Sequence, residues 1–162
     1  FYCWPLKCFD PTLWCKTHPP RALEKGAKII ASSIGQAKVV LELPRGNLEA
    51  FHPRTLVLEK VRQHLNSMEF VKAFEWLRRH RINLNYICDY DFDLFKRNCH
   101  LFVQQIGASH LDWICQFLSE LSGENVLATL YKCCEAKAPI EGKVDTVCEL
   151  LLEKMLEIVD AQ

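Results

Sequence analysis

Cys3, Cys8, Cys15 and His18 are the first side chains along the chain whose types could act together. Three thiolates and one imidazole make a complete tetrahedral set for structural zinc, and a closely spaced group on a loop is how such an ion is held. The gaps between them are four, six and two residues, which is near a three-cysteine, one-histidine finger pattern but not on it. Trp4, Trp14, Pro5 and Pro11 crowd the same segment. The simpler expectation is an extension that binds no metal, and no cofactor is expected elsewhere.

Arg78, Arg79, His80 and Arg81 form the one dense basic run. At the end of a helix, positive charge offsets the negative end of the macrodipole, which accounts for the run without a ligand. The alternative is a surface in which Arg78, Arg79 and Arg81 meet an acidic partner or an RNA backbone. Cys99 and His100 are adjacent, so on a helix they point about 100° apart and cannot form a nucleophile–base couple by themselves. A core cysteine beside an exposed histidine is expected instead. Cys133 and Cys134 lack the spacing of a zinc pair. Asp89, Asp91 and Asp93 open like a calcium loop, but Leu94 stands where that loop needs glycine. Capping and the macrodipole at a helix start explain these acids. The sequence has no Gly-rich phosphate loop, Walker lysine or nucleophile elbow. No catalytic residue is expected, and the chain does not read as an enzyme.

These side chains must be positioned by a folded framework, and the composition allows one. Of 162 residues, 49% are apolar and 25% charged, enough for one ordinary domain or two partial ones. Twenty basic and twenty acidic residues cancel to a formal charge of zero, so no global field draws in polyanions, although a local patch stays open. The nine cysteines are scattered, and Cys88, Cys99, Cys115 and Cys148 fall at apolar positions of helical patterns, as small hydrophobes. That distribution points to a reducing, intracellular compartment. No stretch approaches the roughly 20 apolar residues that span a bilayer. FYCWPLKCFDP is not a signal peptide, and a start on Phe1 suggests a fragment or an incomplete gene model.

Residues 1–25 are broken by Pro5, Pro11, Pro19 and Pro20 and are left without assigned structure. Residues 26–51 read as strands. Lys28–Ile34 and Lys38–Leu43 are β-branched runs flanking Gly35 and Gln36, and Leu43-Pro44-Arg45-Gly46 reads as a turn into a third strand from Asn47 to Phe51. Three strands are marginal alone, so they should belong to a larger sheet. Residues 52–162 read as helices. Pro53 suits a first helical turn; Val57, Leu58, Val61 and Leu65 make one face, and Phe70, Ala73, Phe74 and Leu77 make the next. Asn66 or Ser67 should cap that second helix. A third helix after Asp91 should end on a left-handed Gly107, and a fourth, capped by Ser109, should run to Gly123. A short one over Asn125–Lys132 and a last one carrying Val144, Val147, Cys148, Leu151, Met155 and Ile158 complete the pattern. The expected fold is mainly α: an α-solenoid or helical-hairpin array preceded by a short antiparallel β-meander.

PRGNLE at Pro44–Glu49, HPRTLVL at His52–Leu58 and FVKAFEWLRRHRINLN at Phe70–Asn85 resemble, in order and spacing, the largest subunit of the Elongator complex. FVQQI at Phe102–Ile106, the segments around Asn125 and Tyr131, and Lys143–Cys148 continue the likeness; residues 1–20 do not share it. The resemblance implies a junction where the last strands of a second β-propeller lead into an α-solenoid, with Pro44, Arg45, Gly46 and Asn47 as a structural motif. It further implies a non-catalytic scaffold for two partners, a second propeller subunit and a catalytic radical-SAM/acetyltransferase subunit. Their complex modifies C5 of the tRNA wobble uridine, so tRNA is met through the complex. It also implies a cytoplasmic location with the nucleus open, no membrane, and room for a homodimer of the full-length protein. Two readings from other classes stand beside it. One is a helical-repeat adaptor engaging RNA or vesicle-coat partners through Arg78–Arg81. The other is a small zinc module on the N-terminal cysteines.

Overall fold

The computed structural model describes residues 23–33, 35–107, 110–131 and 140–160. Cys3, Cys8, Cys15, His18, Ser109, Cys133 and Cys134 lie outside the described residues. Three strands, β1 (Lys28–Ser33), β2 (Lys38–Glu42) and β3 (Leu48–Phe51), precede seven described helices. These are α1 (Arg54–Asn66), α2 (Phe70–Arg79), α3 (Tyr86–Tyr90), α4 (Phe92–Gly107), α5 (Leu111–Glu120), α6 (Val126–Thr129) and α7 (Lys143–Asp160). The expected helical array after an antiparallel meander is what the chain forms. It divides into two compact units, Phe1–Val61 and Arg62–Gln162.

In the first unit, β2 pairs on both sides, with Leu41 opposite Ile29 and Glu49, and a register shift lies between Ile29 and Ala31. Ala37, Val39 and Leu41 are buried, with Val39 and Leu41 on one side of the pleat, as the strand's period of two dictates. The β2–β3 turn is closed by the Gly46 N–H donating to the Leu43 carbonyl (2.9 Å) and the Leu43 N–H donating to the Asn47 carbonyl (2.8 Å). Gly46 takes φ +81°, the left-handed position of a three-residue hairpin loop, where a Cβ would be strained. Val57, Leu58 and Val61 of α1 are buried.

The second unit is organised around α4, which packs against α2, α3, α5 and α7. Its stripe of Phe95, Cys99, Phe102, Val103 and Ile106 is buried, the three- and four-residue spacing placing all five on one face. Phe102 is the centre: its ring meets Phe70 at 5.6 Å, Phe95 at 5.4 Å and Phe117 at 5.3 Å. At Asn98 the helix kinks, with φ −114° and ψ 16°. The Asn98 amide donates to the Leu94 carbonyl at 2.8 Å, so the side chain supplies a bond to the carbonyl one turn back.

Half-buried Gln105 and buried Asn85, Asp89 and Lys143 stitch the helices. Gln105 of α4 receives the Phe70 N–H (2.9 Å) and donates to the Met68 carbonyl (2.8 Å), bracketing the α1–α2 connection. That connection is a Schellman motif: the Glu69 N–H reaches the His64 carbonyl, the Met68 N–H reaches Leu65, and Met68 sits at φ +57°. Asn85, fully buried, donates to the Glu120 carbonyl (2.7 Å) and accepts from the Ser122 N–H (2.9 Å). It thereby meets the end of α5, which stops at Glu120 and does not run to Gly123. Asp89 and Lys143 form a buried ion pair at 2.8 Å. Lys143 also donates to the Glu124 carbonyl (2.9 Å), and the other Asp89 oxygen accepts the Val126 N–H (2.8 Å).

Several local expectations are corrected by these contacts. α3 contains Cys88, read as part of a helical pattern, but the pattern gives it no bounds because five residues are too short to show a period. Gly107 is absent from the left-handed residues, so α4 ends without a glycine C-cap. α2 takes Glu69, not Asn66 or Ser67, at its N-cap. α6 shrinks to Val126–Thr129, capped by Asn125, whose side chain accepts from the N–H groups of Leu127 and Ala128. Asp89 does not cap its own helix; it receives an amide of α6 instead. Cys88 and Cys99 are buried, whereas Cys115 and Cys148 are exposed.

Two predictions follow from these bonds. Lys143→Met leaves the Asp89 carboxylate buried without its cation, and should cost about 3 kcal/mol or more in chemical denaturation. Adding Asp89→Asn, which still accepts the Val126 N–H without charge, should recover part of that loss; no recovery would reject the charge explanation. At the α1–α2 corner, Glu69 bonds Lys72 and His64, each at 2.6 Å, and these bonds hold its carboxyl below the usual value of 4.5. A depressed carboxyl stabilises above its unfolded pKa and loses that contribution as pH falls through the folded one. Urea stability of the native chain should therefore fall more steeply between about pH 5 and about pH 3 than that of Glu69→Gln.

Candidate functional site

The four-residue spacing that turns Phe70, Ala73, Phe74 and Leu77 inward leaves Glu75, Arg78 and Arg79 on the outer side of α2. The helix ends in a second Schellman motif. The Ile82 N–H donates to the Leu77 carbonyl (2.9 Å) and the Arg81 N–H to the Arg78 carbonyl (3.1 Å), and the motif's apolar pair, Leu77 and Ile82, is buried. Arg81 occupies the left-handed position at φ +52°, where glycine is usual and an L-residue costs on the order of 1 kcal/mol.

Since backbone amides serve the last carbonyls, the arginine side chains are available at the surface. Arg78, Arg79 and Arg81 are exposed, and none forms an ion pair with a carboxylate among the described residues. The Arg78 guanidinium lies over the Trp113 ring, 5.0 Å from its centre, a cation–π contact. Trp113 of α5 also stacks on His110 (3.9 Å) and Phe74 (5.1 Å), while Trp76 stacks on His80 (5.1 Å). Glu75, Trp76, Arg78, Arg79 and Trp113 line an open cleft of about 310 Å³.

The structure thus places Arg78 and Arg79 in this cleft and Arg81 just beyond the helix that builds it. Sequence reasoning missed Trp76 and Trp113. Trp76 could have been found as a bulky aromatic off the apolar face of α2, two residues before the arginines; nothing in the sequence brings Trp113 there.

The other candidates do not converge. Asp89 faces Lys143, the Asp91 carboxylate accepts the Leu94 N–H (2.9 Å), and Asp93 pairs with Lys96 (3.2 Å). Among the described residues no group of three or more His, Cys, Asp or Glu comes together to hold a metal. Burial pushes the Cys99 thiol up to about 11 and the Cys88 thiol well above its ordinary range, so both stay protonated and unreactive near neutral pH. His100, next to Cys99, is exposed. No described helix is long and apolar enough to cross a membrane.

The family model for the ELP1 alpha-solenoid matches residues 54–162. The chain belongs to the Elongator complex protein 1 family. It is 37% identical to the Elongator complex protein 1 of Schizosaccharomyces pombe over 141 residues, which cover 83% of this chain and 11% of that protein. Against the Drosophila melanogaster protein the identity is 40% over 147 residues, covering 86% and 12%. Against the Saccharomyces cerevisiae protein it is 39% over 112 residues, covering 69% and 8%. The chain spans about a tenth of the length of these curated relatives. The solenoid match opens on Arg54, the first residue of α1, and takes in the cleft, Asn85 and the Asp89–Lys143 pair.

Arg81→Gly should relieve the left-handed strain and raise stability by about 0.5–1 kcal/mol, seen as a higher denaturation midpoint at unchanged slope. A lower midpoint would mean that the Arg81 side chain stabilises the α2 end.

Proposed function

We propose that this chain is part of a non-catalytic scaffold of the Elongator complex, the assembly that modifies C5 of the tRNA wobble uridine. The observation that carries this reading is the solenoid match over residues 54–162, together with relatives that are themselves named Elongator complex protein 1. In this reading residues 26–51 are terminal strands of a propeller and residues 52–162 begin the solenoid. The meander supports it. β1 and β3 are outer strands, and Ile29, Ile30 and Leu48 are 55%, 54% and 67% exposed, as expected of strands that belong to a larger sheet.

The buried polar chemistry supports a structural role as well. Asp89 and Lys143 tie α3, α6 and α7 together, and Asn85 ties the start of α3 to the end of α5. The proposed partners are the second propeller subunit and the catalytic radical-SAM/acetyltransferase subunit, which supplies the chemistry. tRNA is reached through the assembly, in the cytoplasm and with a nuclear pool, and the full-length protein has room for a homodimer.

The test is complementation of cells lacking the gene by the tagged full-length protein. Co-purification of both partners and return of C5-modified wobble uridine in digested tRNA are expected. Lys143→Met should lower complex yield and modification in parallel. Modification restored without any partner co-purifying would overturn the scaffold reading.

A further inference from the structure

We infer that the cleft at the end of α2 is a docking site for an acidic segment of a protein partner. An apolar side chain would enter between Trp76 and Trp113, and flanking carboxylates would meet Arg78, Arg79 and Arg81. The first support is charge: three exposed guanidinium groups lie within four residues and have no carboxylate partner among the described residues. Arginine's planar fork suits bidentate carboxylate recognition.

The second support is preorganisation. The Arg78 guanidinium lies over Trp113, and Trp113 is itself held by Phe74 and His110. Ordering these groups is therefore largely complete before a ligand arrives, which lowers the entropic cost of binding. The third is strain. Arg81 keeps a left-handed backbone that glycine would fill more easily, and a retained outlier of this kind points towards use of the side chain.

Composition decides the class of partner. Tryptophan and arginine around a small cleft are the residues that dominate protein–protein hot spots. Trp113 lines the cleft but is only 9% exposed, with His110 and Phe74 stacked on its ring, so what it offers suits contact with an aliphatic side chain and not face-on stacking of a nucleobase. Glu75 lines the same cleft and can accept a peptide N–H, a donor that phosphate groups do not offer.

The experiment titrates the whole chain into a fluorescein-labelled peptide of about 12 residues, in which leucine is flanked on both sides by glutamates, and reads anisotropy. Saturable binding with a Kd of about 10–100 μM is expected, the range of a single anchored side chain. It should weaken severalfold between about 50 and about 200 mM salt. Arg78→Glu with Arg79→Glu, or Trp76→Ala, should weaken it about tenfold or more, with circular dichroism unchanged. Should the charge reversal unfold the chain, Arg78→Gln with Arg79→Gln replaces it, and the same direction of effect is required. Arg81→Gly should raise the melting temperature and weaken the peptide about two- to fivefold, a split that a purely structural role does not give. No saturation by about 1 mM, or affinity untouched by the arginine and tryptophan changes, overturns the proposal. Tighter binding of an oligouridylate of equal charge also overturns it, and assigns the cleft to nucleic acid. The readout needs no Elongator partner, so its failure leaves the scaffold reading standing.

Discussion

Lys143 puts an ammonium group where water does not reach, and the second unit is arranged to answer it. Asp89 supplies the opposite charge at 2.8 Å, and the Glu124 carbonyl supplies a second acceptor. Asp89 is then itself completed by the Val126 N–H. An ion pair this deep gains little net energy over an apolar pair of equal volume, but it penalises every arrangement in which one partner is missing. The first residue of α7, the last turn of α3 and the start of α6 are thereby bound to one relative placement. Asn85 imposes the same condition on the end of α5, and Gln105 on the start of α2. Around these fixed points Phe102 and its neighbouring rings supply the non-directional part of the stability.

The surface at the end of α2 follows the opposite logic. The Schellman bonds satisfy the last carbonyls of the helix from the backbone, so the arginine side chains are not needed as caps. One of them lies against an indole, and a third sits on a left-handed residue. Charge in the interior is matched and closed. At this cleft it is exposed and has no carboxylate partner among the described residues.

Much of the framework was legible in the residues. Strand alternation at Val39 and Leu41, the turn from Leu43 to Asn47, and the faces of α1, α2 and α4 are written as periods of two and of about 3.6. The short wording at Pro44–Glu49 and Phe70–Asn85 was enough to point to the Elongator family, because it preserves both identity and spacing. Legibility failed where the partner is far along the chain. Asp89 looked like one of three local caps, yet its cation is 54 positions away. Trp113 was not singled out at all, yet its ring is the platform for Arg78, 35 positions back along the chain. Cys115 and Cys148 looked buried by pattern but face outwards, because the apolar stripe of each helix is wider than the face that finds a neighbour.

The sequence by itself determined the class of fold, the order of its elements and the family, since these depend on local periodicity, turn chemistry and short-range wording. Only the tertiary structure decided which polar groups are buried, which of them answer one another, and which cations remain at the surface. The reason is physical. Burial and ion pairing depend on groups brought together across tens of residues, and in a neutral chain of this composition any acid could pair with any base until packing selects one.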